Sequence, residues 1–205
     1  MADGATRLRK GRKFDQVLEG ARGVFLLNGF EGASVDDIAR AAGVSKATLY
    51  SYFPDKRLLF IEVARTECCR QADIALATLD MAAPIPRLLE DIATQMVRFV
   101  TSEFGLGMFR IFVAESARFP ELARDFYESG PMLVRDRLAQ ILQMAVDRGE
   151  LVIDDVMLAA DQFAELCKAD LFPKLVFNIR TATTEADRQR IAKGAVAMFM
   201  ARYGS

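Results

Sequence analysis

The segment from Ser34 to Lys56, SVDDIARAAGVSKATLYSYFPDK, leaves this chain little freedom in how it folds. Ser34 is a good helix N-cap, and Asp37 three residues on completes a capping-box pattern. Val35, Ile38, Ala39 and Ala42 then share one helical face. Gly43 follows, where a sharp turn calls for a positive φ. Val44 is placed to plug the gap between two helices. Ser45 caps a second helix from Lys46 to about Tyr52, on which Leu49 and Phe53 point inward. Pro54 and Asp55 end it, and a further helix starts at Lys56. The pattern is a helix-turn-helix, whose second helix lies in the major groove of DNA. Two capped helices around a glycine turn also occur in all-α proteins that touch no DNA. The residues left exposed, Lys46, Ala47, Thr48, Tyr50, Ser51 and Tyr52, lean toward DNA. They carry donors and no acid, which suits phosphates and base edges. A structural surface helix more usually mixes Glu with Lys at i, i+4 spacing.

The stretch GFEGASVDDIARAAGVSKATLYSYFPDKRLLF resembles the DNA-binding domain of TetR/AcrR-like transcriptional repressors. The resemblance rests on the apolar helix ending in Asn28-Gly29-Phe30, on I-A-x-x-A-G-V-S from Ile38, on T-L-Y-x-x-F from Thr48, and on Lys56. It covers about the first third of the chain. FRIFVAESARFPELARDFYESG, from Phe109 to Gly130, is more weakly similar to the ligand domain of an AefR-like subgroup. The resemblance implies roles position by position. Tyr50 and Lys56 match phosphate contacts. Lys46, Ala47, Thr48 and Ser51 match positions that reach base edges, and the caps Ser34 and Ser45 are candidate DNA contacts beside them. Tyr52 stands where His is common, which keeps a hydrogen-bond donor and loses a possible charge. Lys46 can donate to guanine O6 and N7, and Thr48 can bond a base or set its methyl against thymine.

Composition narrows the alternatives. There is no histidine among the 205 residues, so the commonest general base and metal ligand is absent. Ser-His-Asp and Cys-His mechanisms are excluded, and no Gly-rich phosphate loop is present: Gly105 and Gly107 in F-G-L-G read as a helix break. No enzyme, cofactor or metal is therefore expected. Cys68, Cys69 and Cys167 are too few and too oddly placed for a disulfide framework. Adjacent Cys68 and Cys69 point in different directions on a helix, which disfavours a thiol switch between them. No apolar run approaches the ~18 residues that span a membrane, and MADGATRLRKGRK lacks a following apolar region, so a cytoplasmic protein is expected. The net charge is −1. Residues 1–60 hold 10 Lys/Arg against 7 Asp/Glu, and the remainder 17 against 21, so the positive charge gathers in the first part. Arg7, Arg9, Lys10, Arg12 and Lys13 form a basic arm, either an electrostatic footprint for DNA or a solvated tail.

Nearly every remaining segment reads as helix, and the fold class is all-α. A three-helix helix-turn-helix domain over 1–55 precedes a helical ligand-binding and dimerisation domain over 56–205. The first helix spans about Arg12–Asn28, with Phe14, Val17, Leu18, Ala21, Val24 and Phe25 on one face. The others span about 56–79, 85–104, 108–118, 120–148 with an interruption at Gly130-Pro131, a segment from 154 broken at Pro173, and 184–203.

One two-turn reading helix covers few base pairs, so specificity asks for a homodimer on a palindromic operator of double-stranded DNA. Met157, Ala160, Ala164, Cys167 and Leu171, with Ile191, Ala195, Met198 and Phe199, could form a four-helix interface or pack within one subunit. The middle helices hold Met96, Phe99, Val100, Met108, Phe109, Phe112, Phe126, Met132, Leu133 and Phe163, candidates for a pocket or simply core. The resemblance implies a small-molecule effector there, and the lining favours an apolar or amphipathic one. Arg110, Glu115 and Arg118 are the polar groups able to orient it, although Glu115 and Arg118 equally suit a surface pair. The competing readings are a ligand-responsive repressor and a helical carrier or enzyme without DNA function.

Overall fold

The computed structural model describes residues 11–205, without the side chains at positions 72, 75, 76, 122 and 129. These residues form α1 (Arg12–Gly32), α2 (Val35–Ala41), α3 (Lys46–Tyr52), α4 (Lys56–Thr78), α5 (Ile85–Val100), α6 (Glu103–Glu115), α7 (Pro120–Ser129), α8 (Pro131–Asp147), α9 (Val156–Leu166), α10 (Leu171–Val176) and α11 (Glu185–Tyr203). Extended pairing among them is confined to one antiparallel bridge, Leu151 with Gly204. The chain is all-α, in two compact units that divide after Glu67, inside α4 rather than at its start. Arg7, Arg9 and Lys10 of the basic arm lie outside the described residues.

In the first unit, Phe14, Val17, Ala21 and Phe25 bury one face of α1, while Leu18 and Val24 stay half-exposed. They pack with Ile38, Leu49, Phe53, Leu59 and Phe60. Phe14 stacks on Phe53, and Phe25 meets Phe60 edge-on at 4.9 Å. The helical path of α1 ends at Asn28, because Gly29 adopts φ 67, ψ −177. That region is essentially reserved for glycine. Gly20 serves another need: a Cβ there would lie 2.5 Å from the Ala42 nitrogen, so α1 approaches the end of α2 backbone to backbone. Buried Glu67 accepts from Arg22 Nε at 2.6 Å, tying α4 to α1.

In the second unit, α5, α8, α9 and α11 enclose the main core around Leu88, Leu89, Val97, Leu142, Phe163 and Phe199. The break expected at Gly105–Gly107 lies instead at Thr101–Ser102, and both glycines sit inside α6. Ser102 Oγ accepts from the Gly105 amide at 3.0 Å and donates to Phe99 O at 2.7 Å, so the cap makes the turn. A Cβ on Gly105 would fall 2.2 Å from Phe99 O, which explains the glycine as a close approach. Gly130-Pro131 separates α7 from α8 as the sequence anticipates. The later break precedes Pro173, which occupies the first turn of α10, where a missing N–H costs little. Asp170, at φ 64, makes that break and receives hydrogen bonds from Lys174 and Arg190. Asn178, at φ 56, closes the other end of α10.

Candidate nucleic-acid interface and effector region

The reading helix is set by its caps. Ser34 Oγ accepts from the Asp37 amide at 3.1 Å and donates to Asp37 Oδ2 at 2.6 Å, fixing the start of α2. The Ser34 hydroxyl and Arg40 hold the Asp37 carboxyl below the usual carboxylate range. Gly43 turns at φ 62. Ser45 Oγ accepts from the Thr48 amide at 3.1 Å and lies 2.9 Å from Thr48 Oγ1. Leu49 and Phe53 anchor α3 in the core. Lys46, Ala47, Tyr50 and Ser51 are thereby exposed together with Ser34 and Ser45, and Thr48 and Tyr52 are half-buried. The Tyr52 ring meets Phe14 edge-on, and Ser51 Oγ donates to Thr48 O.

Two cations are engaged within the protein. Lys46 Nζ lies 2.5 Å from Asp36 Oδ1 on α2. Both side chains are more than half exposed, so the pair is weakly held. The sequence shows no acid on α3, and the acid that meets Lys46 comes from the first turn of α2. Lys56 Nζ donates to Phe30 O at 2.9 Å and to Ala33 O at 3.1 Å. Asp55 accepts from the Arg57 amide at 2.7 Å and so caps α4.

The candidate effector residues divide into groups. Met108, Phe112 and Phe126 come together with Cys68: Phe112 and Phe126 stack at 3.5 Å, and the Cys68 thiol reaches Met108 Sδ at 3.4 Å. Gly130 borders the same cluster, since a Cβ there would touch Phe126 and Cys68. Met96, Phe99, Val100, Glu115, Met132 and Leu133 are half-buried. Phe163 is fully buried against Phe199 and belongs to the main core. Phe109 is exposed and meets Phe172 edge-on. Arg110 is committed to the end of α10, donating to Leu175 O, to Val176 O at 3.2 Å and to Asn178 Oδ1 at 2.7 Å. Arg118 is exposed over the Phe119 ring.

Of the nine side chains read as an interface stripe, Ala160, Cys167, Leu171, Ile191, Ala195 and Phe199 are buried inside their own unit. Met157 and Met198 are exposed and Ala164 is half-exposed. The outward face of α11 carries Gly194, Ala197, Met198 and Ala201, and that of α9 carries Met157 and Leu158.

Residues 17–63 match the sequence model described as bacterial regulatory proteins, TetR family. Residues 87–205 match the one described as AefR-like transcriptional repressor, C-terminal domain. The chain belongs to the TetR family. It is accordingly a transcriptional regulator with a DNA-binding domain, not an enzyme. A solved TetR-family regulator from Mesorhizobium loti is 28% identical and covers 95% of this chain and 98% of its own, with a TM-score of 0.80. The structure of the flavonoid-responsive regulator FrrA is 37% identical with the same coverages and a TM-score of 0.64. YfiR of Bacillus subtilis, an HTH-type transcriptional regulator, is 28% identical over 153 residues, 73% of each chain. Among the described residues of this TetR-family chain, no helix is long and apolar enough to cross a membrane.

Proposed function

We propose that the protein is a homodimeric repressor that occupies a palindromic operator and leaves it when a small apolar or amphipathic effector binds. The observation that carries the reading is the outward face of α3, where Lys46, Ala47, Tyr50 and Ser51 project beside Ser45 without an acid on the same helix. Thr48 and Tyr52 flank them, and Ser34 fixes the helix behind. The match to an AefR-like repressor domain supports repression over activation. Dimerisation is supported by the outward apolar residues of α9 and α11, whose small side chains permit close helix approach.

For the effector, the cluster of Met108, Phe112 and Phe126 is the favoured site. Parallel rings and an adaptable thioether suit a flat aromatic molecule. That FrrA is flavonoid-responsive, at 37% identity, makes flavonoids the first class to try. The effector releases DNA only by binding one of two states more tightly. The test is a salt-dependent gel shift on DNA flanking the protein's own gene, repeated with a flavonoid and with a long-chain fatty acid. Retarded DNA that a ligand releases supports the proposal. No preference for that DNA over an unrelated duplex rejects it.

A further inference from the structure

We infer that Lys56 is a positioning residue of the DNA-reading helices rather than a phosphate contact. This rests on the DNA-binding reading above. Gly29 breaks the helical path of α1, so the carbonyls that follow lose their usual intrahelical partners. Lys56, the first residue of α4, supplies replacements: its Nζ donates to Phe30 O at 2.9 Å and Ala33 O at 3.1 Å. The same ammonium lies 4.3 Å from the centroid of the Phe30 ring, which packs edge-on against Phe60 of α4. Ala33 directly precedes Ser34, the N-cap of α2. The ammonium therefore ties the start of α4 to the residue from which α2 departs, and α2 carries α3 through the Gly43 turn. A phosphate could recruit Lys56 only by taking it from two carbonyls of this turn.

The wild-type protein tests this directly. An amine-acylating reagent is applied to the free protein and to its complex with a duplex from the DNA flanking its own gene. Lys46, paired only with exposed Asp36, should react readily in the free protein and be shielded by DNA. Lys56 should already react roughly tenfold or more slowly without DNA, the factor that one charge-assisted hydrogen bond is worth. Lys56 as reactive as Lys46 in the free protein, and shielded only by DNA, overturns the inference. As a second measurement, the slope of log affinity against log salt should be unchanged in Lys56→Met, while operator preference over unrelated DNA falls. A slope reduced by about 1.8 for the dimer, one phosphate's worth in each subunit, overturns it as well. If Lys46 is not shielded by any duplex, the DNA-binding reading fails, while the reactivity of Lys56 in free protein still decides the clamp.

Discussion

Single residues decide how freely the reading helix can meet DNA. Lys46 must leave Asp36 before it can donate to a guanine, and Asp36 itself repels phosphate. Asp36→Asn should therefore raise affinity for DNA of any sequence and steepen its salt dependence, as a titration at several salt concentrations would show. Lys46→Ala should lose about 1–3 kcal/mol of discrimination at one base position if the contact is bidentate. Competition between operators altered one base pair at a time measures that. Gly29 is a case of another kind: no side chain tolerates φ 67, ψ −177 well, so Gly29→Ala should cost about 1–3 kcal/mol in denaturant unfolding. The sequence displayed much at this scale. The caps Ser34 and Ser45, the Gly43 turn and the inward Leu49 and Phe53 follow from local chemistry and stand in the structure. Lys46–Asp36 and Lys56–Phe30 were hidden because they join residues ten or more positions apart, across a turn whose geometry had to be known first.

Helices show the same division between local and distant causes. Gly130-Pro131 separates two helices on local grounds alone. Gly105 and Gly107 mislead because glycine also serves close packing, and only the nearness of Phe99 O reveals which need applies. At the other end of the unit, Thr184 and Asp187 form a reciprocal capping box on α11, and Arg180 adds a cation to it. The Thr184 amide, its hydroxyl and Arg180 pull the Asp187 carboxyl down to about 2. A depressed carboxylate stabilises the fold above its unfolded value and ceases to do so as pH falls through its folded one. The contribution should therefore be intact above about pH 4 and vanish between about pH 4 and 2. Asp187→Asn should lower the melting temperature at pH 7 and remove part of its decline over that acid window. Glu67, buried and paired with Arg22, binds α4 to α1. Glu67→Ala takes from Arg22 its buried partner and leaves it the exposed Glu19, and should destabilise the first unit by about 1–3 kcal/mol, read from chemical unfolding.

At the scale of the whole molecule, the apolar periodicity of α9 and α11 led to a stripe that the structure splits in two. Ala160, Ala195 and Phe199 close the unit's own core, and Met157 and Met198 face outward beside Leu158 and Ala197, which the stripe did not include. Periodicity marks which residues share a face; it does not say which of two apolar faces meets its own core, and α9 and α11 carry both. Met198→Glu should accordingly give a folded monomer with weak operator binding, seen by sedimentation and circular dichroism. Phe199→Glu should unfold the subunit instead. The proposed effector cluster was legible only as an excess of Met and Phe. Its membership depends on how α6 and α7 pack, which joins Phe112 to Phe126 and leaves Phe109 and Phe163 elsewhere.

The approach of α1 to Ala42 has a consequence for genetics. A side chain at position 20 collides with the nitrogen and Cα of Ala42 at 2.5 and 2.6 Å, as well as with its Cβ at 2.7 Å. Trimming Ala42 to glycine relieves only the last of these, because the first two are backbone. A strain carrying Gly20→Ala should lose repression, and selection for its return should yield reversions at codon 20, not suppressors at codon 42. The two positions touch, yet evolution can negotiate at only one of them.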